Sequence, residues 1–114
     1  MEEKRRLRRR YLLAEVKVRP QADDDWTDAV LMNINRGGMC LFALGSIRNK
    51  SRVVIKIIYS EGRKKLISEE IPGVVKWVVP VGGRRAAGVM FTEKVSRTNF
   101  PVLSKCLTYA VKNK

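Results

Sequence analysis

The chain has 114 residues, which is enough for one domain with a hydrophobic core that needs neither disulfides nor a structural metal. Hydrophobic residues make up 45% and charged residues 31%, with a net charge of +13, so we expect a globular protein that attracts anions. Histidine is absent from the sequence, which removes the commonest general base and the usual zinc ligand. We therefore predict no catalytic residues, no metal site and no enzymatic activity.

The first predicted segment is a basic arm within the stretch EKRRLRRRYLL, where every residue from Lys4 to Arg10 except Leu7 is basic. Chain termini are commonly ordered only when something ties them down, so we expect residues 1–10 to be flexible. These residues include six basic and two acidic side chains, and the remaining chain therefore still carries +9. We predict that residues 11–114 form a single basic domain.

Valine- and isoleucine-rich segments follow the arm, separated by Gly, Pro, Asn or Asp. They are YLLAEVKVRP, WTDAVLMNIN, GGMCLFAL, SRVVIKIIYSEG, RKKLISEEIPG, VVKWVVPVGGRR and AAGVMFTEKV. Short runs of this composition are typical of β-strands. The sequence VGGRR predicts a tight hairpin, because glycine readily adopts the positive φ that such turns require.

The last segment, FPVLSKCLTYAVKNK, has the periodicity of one amphipathic helix, with apolar residues at Val102, Leu103, Cys106, Leu107 and Ala110. The preceding VSRTN offers several residue types that cap helix N-termini. Six or seven strands followed by one helix predict a mainly β fold, a small antiparallel β-barrel with a C-terminal α-helix.

Neither the cysteines nor the apolar runs indicate an extracellular or membrane protein. Cys40 and Cys106 lie far apart in apolar sequence, so we predict two buried, reduced thiols. The longest apolar runs, such as GVVKWVVPV, are far shorter than the roughly 20 residues of a membrane span. The arm is not followed by the apolar core of a signal peptide. We therefore expect a cytoplasmic protein.

Two short motifs stand out against this background. In LMNINRGGMCL, Asn33 and Asn35 are two residues apart, so both side chains point to one face of an extended chain. Gly37 and Gly38 follow directly and allow a sharp bend, although this motif alone also fits an ordinary turn. In the arm, Arg6 and Arg10 are four residues apart, which places them on one face.

The order of these motifs resembles the PilZ domain family of bacteria. The family combines Arg-x-x-x-Arg near the domain start with Asp/Asn-x-Ser-x-x-Gly some way further on. RLRRR supplies the first motif here, followed by Tyr11, and NINRGG supplies the second, with Asn35 where the family has Ser. The stretch GVVKWVVPVGGRRAAGVMF is similar to the late hairpin of the family.

The resemblance implies a six-stranded barrel that binds the second messenger cyclic di-GMP and signals to a protein effector, without any other cofactor. An arginine fork can meet the O6 and N7 acceptors of guanine or a phosphate. Asn33 offers an acceptor for the guanine N1–H and N2–H donors. The expected ligand-binding residues are Arg5, Arg6, Arg10, Asn33, Asn35, Arg36, Gly37 and Gly38, with the arm closing over the ligand.

Two other functions remain open at this point. The chain could be a PilZ-fold adaptor that binds proteins but not the nucleotide. It could also be a basic β-barrel that binds nucleic acid through phosphates, with Tyr11, Trp26 and Trp77 as stacking residues. We do not favour nucleic acid as a partner, because Trp77 lies in the apolar stretch VVKWVVP and is predicted to belong to the core.

Overall fold

The computed structural model describes the backbone of residues 14–61 and 63–112, and the side chains of residues 14–60 and 63–107. The elements are β1 (Ala14–Pro20), β2 (Thr27–Asn35), β3 (Gly38–Ala43), β4 (Arg52–Glu61), β5 (Lys64–Ile67), β6 (Ile71–Val81), β7 (Arg84–Phe91) and α1 (Pro101–Lys112). The strands form one antiparallel sheet in the order β1-β2-β3-β7-β6-β4-β5, and β1 also pairs with β4. This additional pairing closes six strands into a barrel, and β5 pairs only with the end of β4, outside the closed ring. The predicted fold class is thereby confirmed.

Alternation of apolar and polar residues explains which side chains fill the barrel. In β1, Val16 and Val18 are buried between more exposed neighbours, and in β4 Ile55 and Ile57 are fully buried. A strand turns every second side chain to the same face, so such a sequence buries one apolar row. Burial of each side chain of this size contributes about 1.5–3 kcal/mol. The inward rows of the strands join in one hydrophobic cluster.

Helix α1 belongs to the same cluster. Its Leu103 and Cys106 are fully buried against the barrel residues, as the periodicity of the sequence predicts. The predicted local cap is wrong, however, because the carboxylate of Glu69 accepts hydrogen bonds from the backbone N–H groups of Val102 (2.8 Å) and Leu103 (3.1 Å). A carboxylate at this end also interacts favourably with the helix dipole. The segment between β5 and β6 thereby fixes the start of α1.

The turn between β6 and β7 has the geometry that its glycines predict. Gly82 and Gly83 have φ values of 52° and 83°, which side chains with a Cβ rarely adopt. Two consecutive residues with positive φ match the twist of the flanking strands. The tight hairpin is therefore confirmed.

The two cysteines differ in burial. Cys106 is buried as expected, but Cys40 is only half-buried, because it lies on the outer face of β3. Neither forms a disulfide. Among residues 14–61 and 63–112, no helix has the length and apolar character needed to cross a membrane.

Candidate functional site

Two β-bulges interrupt the described strand pairing, and both lie in the wall of the barrel formed by β2, β3, β7 and β6, which we call the site wall. The register shifts between Leu31 and Asn33 on β2, and between Val75 and Trp77 on β6. One extra residue in a strand moves every following side chain to the opposite face. Asn33 and Trp77 would face the core in an unbroken strand, but they face outward because of these bulges.

Asn33 and Trp77 mark the two ends of one row across the site wall. Asn33 is paired with Cys40, Cys40 with Gly88, and Gly88 with Trp77. With neighbouring strands about 4.8 Å apart, this row is roughly 14 Å wide. It forms the floor of an open cavity of about 270 Å³, which is lined by Asn33, Asn35, Gly37, Gly38, Met39, Cys40, Lys76, Trp77, Gly88, Val89 and Met90.

The indole of Trp77 lies directly over the backbone of Gly88. A Cβ atom at position 88 would be only 2.1 Å from the indole Nε1 atom. The glycine therefore makes room for the ring, which remains 40% exposed beside the cavity. A large aromatic face is thus held against β7 and is open to a ligand on its other side.

At the opposite end of the cavity, the side chain of Asn35 forms the turn between β2 and β3. Its Oδ1 atom accepts hydrogen bonds from the backbone N–H groups of Gly37 (2.7 Å) and Gly38 (3.1 Å). This is the local side-chain to backbone bonding by which Asn commonly stabilises turns. The N–H groups of Gly37 and Gly38 are therefore directed at Asn35 and not into the cavity, whereas the Nδ2 amide group of Asn35 can still donate.

Gly38 is required by the packing of the strands. A Cβ atom at this position would lie 2.3 Å from the carbonyl oxygen of Val89 on β7. Neither Gly37 nor Gly38 has a positive φ. The motif glycine thus allows β3 and β7 to approach each other at the mouth of the cavity.

The chemistry of the cavity favours a planar, electron-rich or anionic ligand. Its lining combines the amides of Asn33 and Asn35, the ammonium group of Lys76 and the ring of Trp77, and includes no carboxylate. Amides pair with the polar edges of a base, an ammonium group attracts phosphate, and an indole offers a stacking surface. Within the described ranges, no cluster of His, Cys, Asp or Glu has the arrangement of a metal site.

Comparison with known proteins assigns the family. The sequence matches the model of the PilZ domain over residues 3–108, which is nearly the whole chain. The chain belongs to the PilZ domain family. A comparison with curated protein sequences finds no significant match.

The PilZ fold is also found among solved structures. The inhibitor of motility MotI/DgrA of Bacillus subtilis superposes with a TM-score of 0.63 at 17% sequence identity. The alignment covers 91% of this chain and 50% of that chain, so this PilZ domain spans about half the length of that protein. At this level of identity the likeness concerns the fold alone.

Four of the expected ligand-binding residues come together in this PilZ domain, since Asn33, Asn35, Gly37 and Gly38 all line the cavity. Arg5, Arg6 and Arg10 lie outside the described residues, as does the whole arm. These eight assignments, including that of Arg36, remain predictions.

Arg36 is directed away from the cavity, although it lies inside the second motif. Its Nη1 atom donates to the carbonyl oxygen of Val95 (3.0 Å) and to the hydroxyl oxygen of Ser104 (3.3 Å) on α1. Its own carbonyl oxygen accepts from the backbone N–H of Val95 (2.9 Å). Arg36 thus connects the β2–β3 turn of the PilZ domain to the helix.

Sequence reasoning missed Lys76, Trp77 and Cys40 as cavity residues, and the predicted core position of Trp77 is wrong. A signal was present, because the inward-facing Val75 and Val78 are three residues apart instead of two. Of the other two expected stacking residues, Tyr11 lies outside the described residues, and Trp26 has the guanidinium of Arg19 5.2 Å and the ammonium of Lys56 4.4 Å from its ring centre. Its ring is engaged in cation–π contacts within the PilZ domain.

Proposed function

We propose that this PilZ domain is a cyclic di-GMP receptor in which the basic arm closes over a ligand held on the site wall. The ordered arm and the ligand together would then present a changed surface to a protein effector. The family supports this function in general, and the lining of the cavity supports the particular site.

The direction in which β1 enters the barrel is the observation that carries the proposal. Val16 is opposite Ala29 and Glu15 is opposite Val30, so each earlier residue lies further along β2 toward Asn33. Ala14 lies on β1, the strand next to the one that carries Asn33. Measured along the strand direction, Ala14 is roughly 7 Å from Asn33. Ala14, the first described residue after the arm, therefore lies on the amide side of the cavity, and this supports contact between the arm and a ligand there.

The length of the arm is sufficient for the expected contacts. Arg10 is four residues before Ala14 and Arg6 is eight residues before it. Extended segments of these lengths span at most about 14 Å and 29 Å, respectively. Since the row from Asn33 to Trp77 is roughly 14 Å wide, Arg10 can reach a ligand at the amide end, and Arg6 can reach across the whole row.

The cavity side of the ligand would be held by amides and by the indole. The Oδ1 atom of Asn33 accepts from a guanine N1–H or N2–H group, whereas Asn35 donates through Nδ2 because its oxygen is engaged in the turn. Trp77 stacks on one guanine, and stacking of a base on an aromatic side chain is worth about 1–3 kcal/mol. Asn35 in place of Ser is thus compatible with the site, because both residue types can form the turn.

The free-energy balance of binding requires contacts from both the arm and the site wall. Fixing the backbone of the arm costs about 1–2 kcal/mol per residue, and each hydrogen bond to a charged group returns about 1.5–3 kcal/mol. Two arginines that each form two such bonds, with one stacked base, contribute on the order of 10 kcal/mol, which is comparable to the cost of ordering residues 6–13. Loss of one arginine should therefore remove most of the measurable affinity.

Isothermal titration calorimetry of the full chain tests this proposal. We expect saturable binding of cyclic di-GMP and no binding of GTP or of the linear guanine dinucleotide. Arg10→Ala should weaken binding by about a hundredfold or more, because two charge-assisted hydrogen bonds are lost.

Arg48→Ala is the matched control, because it removes the same charge from the exposed β3–β4 loop, outside the cavity lining. It should bind cyclic di-GMP like the unmodified chain. Absence of binding by the unmodified chain would refute the proposal, and equal losses in the two variants would refute the role of the arm.

A further inference from the structure

A second feature of the site wall is an apolar stripe on its outer face, one row away from the cavity. Val30 is paired with Phe42, Phe42 with Ala86, and Ala86 with Val79. Leu44, directly after β3, and Val81, on β6, lie two residues beyond Phe42 and Val79 and extend the apolar surface. We refer to these six residues as the apolar stripe.

Four side chains of the apolar stripe are about half exposed, and Phe42 is partly buried. Val30 is 47% exposed, Leu44 49%, Val79 48% and Val81 46%. Single exposed apolar residues are common, but a contiguous group on one sheet face is typical of an interaction site. Ala86, in the middle of the stripe, is itself buried between Phe42 and Val79.

The charges around the apolar stripe are unequal at its two ends. Arg84 is exposed at the β6–β7 end, on the outer face, where it is paired with Val81. At the β1 end, Glu15 is opposite Val30, and Asp28 forms an ion pair with Lys17. A partner that complements this pattern carries acidic groups toward the β6–β7 hairpin.

We propose that the apolar stripe docks an amphipathic helix of a partner protein, whose apolar face is bordered by acidic residues that meet Arg84. The distance across four strands from Val30 to Val79 is roughly 14 Å, and a helix with its side chains is about 10–12 Å in diameter. Apolar residues at helical spacing would pack on the exposed side chains of the stripe.

Electrostatics distinguish this occupant from the alternatives. A second copy of the chain would bring two bodies of +13 together, and the basic arm of the same chain would meet Arg84 with like charge. A lipid bilayer is also a poor fit, because Val81 lies directly opposite Arg84 next to the turn, so inserting the valine would bury the arginine with it.

Docking at the apolar stripe would occur next to the cavity. Trp77 and Val79 are two residues apart on the same outward face of β6, so a helix on the stripe lies beside the indole. The surface itself does not depend on the ligand, and it can be tested in the absence of any nucleotide.

A displayed library of helical peptides of about five turns tests the chemistry of the partner. The library is first depleted on the Val79→Ser/Val81→Ser variant and then selected on the unmodified full chain. Enriched peptides should carry large apolar residues at i, i+3, i+4 and i+7, with an excess of Asp and Glu on the flank. An absence of enrichment, or enriched peptides without acidic excess, would overturn the proposal.

The affinity of the leading peptide is then measured by fluorescence anisotropy. We expect the double variant to bind it about tenfold more weakly or worse, since apolar contacts at an interface centre are each worth about 1 kcal/mol or more. Ile67→Ser is the control, because Ile67 is 55% exposed on β5, outside the apolar stripe, and it should leave affinity unchanged. Equal weakening by the control would overturn the assignment.

Two parallel measurements test the other possible occupants of the apolar stripe, a second copy of the chain and a membrane. Sedimentation velocity should show no self-association of the unmodified chain that the double variant loses. Vesicles of phosphatidylcholine with phosphatidylglycerol should bind both proteins equally through their net charge. Selective loss of self-association or of vesicle binding in the double variant would assign the apolar stripe to a second copy or to a membrane, respectively, and would overturn the proposal.

Discussion

The site wall and the opposite seam of the barrel, where β1 pairs with β4, differ in regularity. The seam has seven consecutive pairs, from Ala14 with Tyr59 to Pro20 with Val53, and no shift of register. The site wall has a shift in β2 and another in β6, and these shifts frame the row that carries the cavity. The barrel is thus regular where it closes and irregular where it presents polar and aromatic groups.

This difference shows how a small barrel can present functional side chains without an extra loop or domain. A regular ladder keeps every second residue in the core, which suits the buried Val16, Ile55 and Ile57 of the seam. A bulge turns the next residue outward while the pairing continues beyond it. Except for Gly37 in the β2–β3 turn, the cavity is therefore lined by strand residues, whose positions are more rigid than those of loop residues.

A substitution in the seam should affect stability most. Ile57 is fully buried in the central cluster, so Ile57→Ala leaves a cavity and should lower the free energy of unfolding by about 2–5 kcal/mol. Urea denaturation measures this loss. The folded fraction should bind cyclic di-GMP with unchanged affinity, and a specific loss of affinity would contradict the separation of seam and site wall.

Gly38→Ala should cause the next largest loss, this time in the site wall. The new Cβ atom would lie 2.3 Å from the carbonyl oxygen of Val89, and a backbone atom moves only with its strand. We expect a loss of about 1–3 kcal/mol in urea denaturation. Gly37→Ala is the control, since its Cβ meets only Asn35 Oδ1 at 3.5 Å, and similar losses in both variants would be evidence against the close approach.

Gly88→Ala should affect binding more than stability. Its Cβ atom would overlap the indole of Trp77, an exposed side chain that can move away at little cost. Displacing the stacking surface should weaken cyclic di-GMP binding by about tenfold. Calorimetry combined with urea denaturation separates the two effects, and unchanged affinity would exclude Trp77 from the site.

The smallest expected effect is a pH dependence on the outer face of β1. A hydrogen bond to Asp28 raises the pKa of Lys17 from its ordinary value of 10.5, against a smaller opposing effect of desolvation. The folded state therefore holds this proton more tightly than the unfolded state. The resulting contribution to the free energy of unfolding is fully present below pH 10.5 and disappears as the pH rises through the raised pKa. Lys17→Met should lower the melting temperature slightly near neutral pH, and the difference should vanish at higher pH. A difference that persists there would point to packing instead of charge.

Much of the fold follows from local sequence. The alternating Val and Ile residues predict the strands, Gly82 and Gly83 predict the hairpin, and the spacing of Leu103 and Cys106 predicts the buried face of α1. The spacing of Asn33 and Asn35 also predicts that both side chains face the same side, and both line the cavity.

The remaining features depend on contacts between distant segments. Glu69 caps a helix that begins more than thirty residues later, and Arg36 bonds to Ser104 across a separation of 68 residues. Trp77 has the sequence context of a core residue, and only the bulge next to it turns the ring outward. Strand propensity does not encode such partners, since they are set by tertiary packing.

The most direct test of the proposed site is a two-dimensional ¹⁵N–¹H NMR titration of the two tryptophan indoles with cyclic di-GMP. Trp77 lies in the proposed site, and Trp26 serves as an internal control because it is held by Arg19 and Lys56 outside the cavity lining. We predict a saturable shift of the Trp77 indole signal, little change at Trp26, and loss of both saturation and shift in Arg10→Ala. Saturable binding that moves Trp26 and leaves Trp77 unchanged would contradict the account.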